Sequence, residues 1–274
     1  MVTMNTTRIL ALGAHPDDCD EKAGGSAALW ARAGCAVKFV SVTNGEGGHH
    51  EMSGEPLVER RRAEAKAAGQ VAGIEYEVMD NPDGQLMPGL EERNSLMSLI
   101  REFAPDLILT HRPNDYHPDH RYTSQLVQDC SFLVGVPNIC PDVPPLRKMP
   151  VIAYMSDDFQ KPIPFKPDVA VDIDAVVETK VQMLHCHESQ VYEWLPWVGQ
   201  LKGGMPDDPE ERLAKLREFA LIFSQVGEEE RDCLVKFYGE DHGKAVQYAE
   251  SFEGCEYGSP LDADAIKRLF PFLP

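Results

Sequence analysis

The chain has 274 residues, of which 43% are apolar, enough for one large α/β domain with a buried core. No stretch approaches the roughly 20 apolar residues that cross a bilayer, and the opening MVTMNTTRIL has neither a charged leader region nor a cleavage site. A net charge of −19, from 45 acidic and 26 basic residues, repels phosphate backbones and anionic lipid, so neither nucleic acid nor membrane is expected as a partner. Seven cysteines are scattered without a CxxC pair, which argues against a disulfide framework and a thiolate metal site. A cytoplasmic location is expected.

In chain order, Arg8 to Ala14 reads as a buried strand, Gly24 to Ala33 as a helix of small residues, and Ala36 to Thr43 as a second strand. A helix from Leu57 to about Val71, a short strand near Tyr76 to Met79 and a helix over Glu91 to Phe103 follow. Leu107 to His111 is a strand, and a helix starts near His120. Val151 to Met155 and Val169 to Val171 are further strands. Asp174 is a plausible N-cap for a helix running to His185. Glu210 to Phe223 and Asp241 to Phe252 read as later helices, while Gly135 to Pro150 and Leu195 to Pro209 read as ordered loops. Repeated β-α-β order predicts a mostly parallel sheet with helices on both faces, and ligands bind such sheets beyond the carboxyl ends of the strands. With no repeat and no linker, a single domain over 1–274 is expected, with residues from about 190 as a C-terminal decoration.

Two polar clusters fall just after strands. Ala14-His15-Pro16-Asp17-Asp18 follows the first strand. If the chain turns at Pro16, His15 and Asp18 face one point, a donor pair suited to Zn²⁺, with Asp17 beside them as a possible base. Taken alone, these residues fit a polar turn capping the next helix equally well. The second cluster is Arg112-Pro113-Asn114-Asp115-Tyr116-His117-Pro118-Asp119-His120. It can bring His120 to the same ion, giving three protein ligands and a fourth position for water, as in catalytic zinc sites. Fe²⁺ or Co²⁺ would also suit this donor set. His49 and His50 lie in a Gly-rich segment expected to be mobile and solvated. Trp194 and Trp197 are candidates either for stacking on a sugar or for a subunit contact.

AHPDD followed by HPDH resembles the LmbE-like, or PIG-L, deacetylases, which hydrolyse N-acetyl and related amides on amino sugars. Thr43-Asn44-Gly45-Glu46, Arg61 to Glu64, Pro82-Asp83-Gly84 and His187-Glu188-Ser189-Gln190 resemble further family segments. The resemblance implies an α/β fold, a Rossmann-like three-layer sandwich. It implies His15, Asp18 and His120 as metal ligands, Asp17 as general base, and His117 as the acid that polarises the carbonyl or protonates the leaving amine. Asp119 would tune His117, while Arg61 and Asp83 would hold polar groups of the substrate. The sequence departs from the family where Cys19-Asp20-Glu21-Lys22-Ala23 precede the glycines. It departs again where some members carry a tyrosine two residues before the catalytic histidine, since that position is Asp115 and the tyrosine is Tyr116.

The expected activity is therefore removal of an N-acyl group from an amino sugar or its conjugate by a homo-oligomeric enzyme. An amidase on a thiol conjugate or acylated natural product, and a non-catalytic metal-containing sugar-binding protein, are the alternatives.

Overall fold

The computed structural model describes residues 6–201 and 204–274; residues 1–5 of the opening segment, and two residues of the loop expected over 195–209, lie outside that description. Strand β1 (Arg8–Gly13) is hydrophobic on both faces because both are covered: Ile9 and Ala11 look one way, Leu10 and Leu12 the other, and all four are fully buried. Helix α1 (Asp18–Arg32) leads to β2 (Ala36–Thr43), α2 (Glu55–Ala72) to β3 (Glu75–Asn81), and α3 (Leu90–Phe103) to β4 (Leu107–Thr110). Helix α4 (Pro118–Leu133) precedes β5 (Val151–Met155). These five strands run parallel in the order β3-β2-β1-β4-β5. Right-handed crossovers place α1 and α2 on one face, with Trp30, Phe39 and Leu109 in the core beneath. Leu96, Met97 and Leu126 of α3 and α4 cover the other. The result is a Rossmann-like three-layer arrangement.

The order reverses between β1 and β4. From β1 the chain moves toward β2, and from β4 toward β5, so the loops after β1 and β4 open a crevice at the carboxyl edge. Both polar clusters of the sequence sit on these two loops.

Beyond β5 the structure corrects three expectations. The first concerns Asp241–Phe252, which is not one helix. A short helix, called α9 below, ends at Ala245, and Ala249–Gly258 is a strand, β7, antiparallel to both β5 and β6 (Val169–Asp172). The segment AESFEGCEYG carries two glycines with Phe252 and Tyr257, a poor helix composition, and the edges of β5 and β6 offer it a complete ladder. Residues past 190 therefore do more than decorate the fold, since β7 is an inner strand of the seven-stranded sheet. The second concerns Asp174, which does not cap a helix: it opens a single 3₁₀ turn before α5 (Val177–Cys186), and its carboxylate accepts from the backbone N–H groups of Gln247 and Tyr248. The third is the loop expected from Leu195, which begins instead with a helical turn, α6 (Leu195–Val198), continuing a widened i→i+5 turn over Ser189–Trp194. Helices α7 (Pro209–Ile222), α8 (Glu228–Tyr238), α9 (Glu240–Ala245) and α10 (Ala263–Leu269) complete the chain.

One buried ion pair ties β7 to α1 and α5. Glu250 Oε1 accepts from Lys180 Nζ and from the Gly25 N–H, both at 2.9 Å, and Oε2 accepts from the Ser26 N–H at 2.7 Å. Both side chains are almost fully buried. Lys180→Met keeps the volume but leaves a carboxylate without its counter-charge, so we expect a loss of about 3–5 kcal/mol, measured as a shift of the denaturant midpoint.

Candidate functional site

Gly13 lets β1 run against the start of α1, because a Cβ there would lie 2.9 Å from the Asp18 Cβ. The turn that follows is closed by the His15 N–H, which donates to Asp18 Oδ2 at 2.7 Å. Across the crevice, α4 begins at Pro118, with His117 as its N-cap, and presents His120 one turn in. His15 Nδ1 and His120 Nε2 stand 3.2 Å apart. Asp18 Oδ2 is 3.5 Å from the first and Asp18 Oδ1 3.5 Å from the second. Atoms each about 2.0–2.2 Å from a tetrahedral ion are separated by about 3.3–3.6 Å, so these three donors fit a divalent cation.

The remaining ring nitrogens support that reading. His15 Nε2 lies 3.2 Å from Asp83 Oδ1 and 3.4 Å from Asp119 Oδ2, while His120 Nδ1 lies 3.0 Å from Asp115 Oδ2. Each histidine thus has one nitrogen within ion-pair distance of a carboxylate, without an aligned hydrogen bond, and turns the other toward the shared point. Burial alone would lower the basicity of His15, but Asp119, Asp18 and Asp83 outweigh it and raise its pKa well above the ordinary value. Burial of His120 is likewise outweighed, by Asp18 and Asp115. The Asp18 carboxyl, although buried, is held well below the usual range by His120 and His111. Three other His/Asp groupings lie near this point: His15 with His117 and His120, Asp18 with His111 and His120, and His15 with Asp83 and Asp119. His111 Nε2 accepts the Ala14 N–H at 3.0 Å and lies 3.1 Å from Asp18 Oδ2.

Asp17 sits beside the cluster with φ 136°, a conformation rare outside glycine. Burial pushes its carboxyl up to about 7, with Asp18 adding to the rise and Arg61 opposing it. Arg61 lines the cavity, yet its guanidinium is largely committed to the protein: Nη2 donates to Pro16 O at 2.8 Å, Nη1 to Gly45 O at 3.3 Å, and Asp17 Oδ1 lies 3.5 Å from Nη2. Asp83 also lines the cavity, but its carboxylate faces His15 and accepts the Gly47 N–H. Asp119, expected to tune His117, pushes the His117 pKa up through its charge and lies against His15 as well. The Asp119 carboxylate accepts the Gly84 N–H and lies against His15, and it is the Asp119 backbone N–H that donates to His117 Nδ1, at 3.2 Å. His117 keeps a lowered pKa, from burial and then from neighbouring His15 and His120. Asp115, missed as a site residue, could be found only by noticing a carboxylate five positions before His120.

These residues line one end of a cavity of about 580 Å³. Trp194, Leu195, Phe159, Phe219 and Phe223 form an apolar stretch of its wall, with exposed Tyr116 at the side of His117. The Gly-rich loop is tied down rather than solvated: the His49 side chain is 2% exposed and its Nε2 lies 2.8 Å from Glu193 Oε2. His50, Trp197 and Trp194 form a continuous ring stack, with centroids 5.2 and 5.3 Å apart.

Fold and site together define a Rossmann-like α/β protein with a candidate His/Asp metal cluster at its topological switch point. A family model described as GlcNAc-PI de-N-acetylase matches residues 10–131. The diacetylchitobiose deacetylase of Thermococcus kodakarensis is 29% identical over 207 residues, 71% of this chain and 75% of that protein. The 4-oxalmesaconate hydratase of Pseudomonas putida is 27% identical over 201 residues, 70% of this chain and 78% of that one. The solved structure of N,N'-diacetylchitobiose deacetylase from Pyrococcus horikoshii shares the fold, with a TM-score of 0.69 and 24% identity over 92% of this chain and 84% of that one. The chain is similar to the PIG-L/LmbE-like deacetylases over the part that this family model matches, residues 10–131. No helix among the described residues is long and apolar enough to cross a membrane.

Between α2 and the Gly-rich loop, Arg60 and, after it, His49 hold the Glu193 carboxyl down to about 2 against an ordinary value of 4.5. A depressed value stabilises the folded state above about pH 4.5, and that contribution is lost as pH falls toward 2. Glu193→Gln should therefore unfold more easily than wild type at pH 6, and the gap between their denaturant midpoints should close progressively below pH 4.5.

Proposed function

We propose that the chain is a divalent-metal-dependent hydrolase that removes an N-acyl group, foremost N-acetyl, from an amino sugar or its conjugate. The observation that carries this reading is the convergence of His15 Nδ1, His120 Nε2 and the Asp18 carboxylate within 3.2–3.5 Å of one another, with Asp17 beside them. Zinc, or iron or cobalt, held by these three residues would supply Lewis acidity, making water more acidic and polarising the amide carbonyl.

The protein's own groups divide the remaining work. With a carboxyl pKa near 7, the base Asp17 can take a proton from water at neutral pH and return it within one turnover. His117 Nδ1 accepts the Asp119 N–H, so a neutral ring carries its proton on Nε2, available to the carbonyl oxygen or the departing nitrogen. Asp83, Asp119 and Asp115 orient His15 and His120, and Arg61 serves the loop that carries Asp17 more than the substrate.

A hydratase acting on an anionic substrate is the second reading, favoured by the hydratase relative. The electrostatics of the cavity oppose it. Asp17, Asp18, Glu21, Asp83, Asp115, Asp157 and Asp158 line the wall against Lys22, Arg61 and Arg112. Arg112 is occupied by Asp157 and by the Ile163 carbonyl, and Lys22 by Glu21. Such a wall suits a neutral amide that becomes a cationic amine better than a polyanion.

Protein loaded with zinc should release amine from N-acetylglucosamine derivatives, and a chelator should abolish the release; amine-free turnover of an unsaturated acid would overturn the proposal. Asp17→Asn should retain metal while losing about 10²–10⁴-fold in kcat. Asp115→Ala should weaken metal binding about 10–100-fold, read by competition with a chromophoric chelator.

A further inference from the structure

The late segment His187–Gln190 takes no part in the chemistry above, yet His187, Ser189 and Gln190 are buried and each ends on a different element of the site. Gln190 Nε2 donates to Gly48 O at 2.9 Å, and Ser189 Oγ and N–H donate to Glu64. His187 Nε2 lies at ion-pair distance, 3.3 Å, from Oδ2 of Asp20, both side chains being fully buried and neither ring nitrogen making an aligned hydrogen bond. That same oxygen accepts from the Tyr76 hydroxyl at 2.8 Å, and the hydroxyl in turn accepts the backbone N–H of Asp17 at 3.2 Å.

The peptide group between Pro16 and Asp17 is therefore held at both poles. Its carbonyl takes Arg61 Nη2 at 2.8 Å, and its N–H donates to Tyr76. Fixing the plane of a peptide fixes the reference for φ of the next residue, and Asp17 has φ 136° and ψ −27°. A non-glycine residue keeps such a conformation only where its surroundings over-determine it. A hydroxyl carries a single proton; donating it to Asp20 leaves the lone pairs of Tyr76 for Asp17.

We propose that Tyr76, oriented by Asp20 and His187, is a positioning residue: with Arg61 it clamps the Pro16–Asp17 peptide and so presents the Asp17 carboxylate to the cavity, a role that rests on Asp17 being the base. His187, at the head of the H-x-S-Q segment, acts through this chain and touches no substrate.

The test is Tyr76→Phe, which deletes the hydroxyl and keeps the ring. A crystal structure of the variant should show Asp17 relaxed away from φ 136°. Bound metal and KM should stay at wild-type values while kcat for amide hydrolysis falls about 10²-fold, the scale of a misplacement near 1 Å. His187→Gln, which keeps an N–H for Asp20, should lose less kcat than His187→Ala; this pair carries the same comparison should Tyr76→Phe fail to fold. An unchanged Asp17 conformation, an unchanged kcat, a kcat loss tracking metal loss, or equal losses in the two His187 variants would overturn the proposal. If wild-type protein releases no amine from any amide, the deacetylase reading fails separately, and the φ of Asp17 in Tyr76→Phe still decides whether the clamp exists.

Discussion

Two imidazoles and a carboxylate can share one cation only if loops nearly a hundred residues apart are held within about an ångström of the right separation, and in this protein the sheet does that holding. β1 and β4 are hydrogen-bonded neighbours from Ile9 to Leu12, and their connections leave in opposite directions. The loops after them are therefore the ones that face each other across the crevice. The core exists largely to keep those two strand ends in register: both faces of β1 are sealed, and α1 and α4 begin directly from the two loops.

Once the loops meet, carboxylates dominate the local field. Asp83 and Asp119 back His15, Asp115 backs His120, and His111 steadies Asp18. Each of these acids is expensive to bury without a partner. Their grouping is intelligible as the counter-charge for a cation and for imidazoles that must turn one nitrogen inward. The same acidity makes the cavity a poor host for anions, which suits the neutral amide of the proposed reaction.

Side chains from α1, α2, β3 and the segment after α5 hold the loop that carries Asp17. Arg61, Tyr76, Asp20 and His187 converge on a single peptide, while Glu64 and Gln190 bind that segment to α2 and to the Gly-rich loop. Asp17 can keep its unfavourable backbone because several weak restraints act on it together. Its raised pKa and its unusual φ are two consequences of one buried environment.

Much of this was legible without coordinates. The alternation of strands and helices up to β5, and the two motifs after β1 and β4, are local patterns, and local patterns survive in one dimension: AHPDD and HPDH announce donors at fixed spacing. The allocation of partners was not legible. That Asp119 serves His15 as well as His117, that Arg61 grips Pro16, and that Asp115 matters at all depend on which side chains lie opposite once the crevice forms. The strand β7 was hidden for a related reason: a short helix runs almost up to it, and it becomes a strand because β5 and β6 leave unpaired edges on either side. Residue chemistry and short spacing were set by the order of amino acids. Contacts between residues far apart in the chain were set by strand order and loop register, which no local propensity encodes.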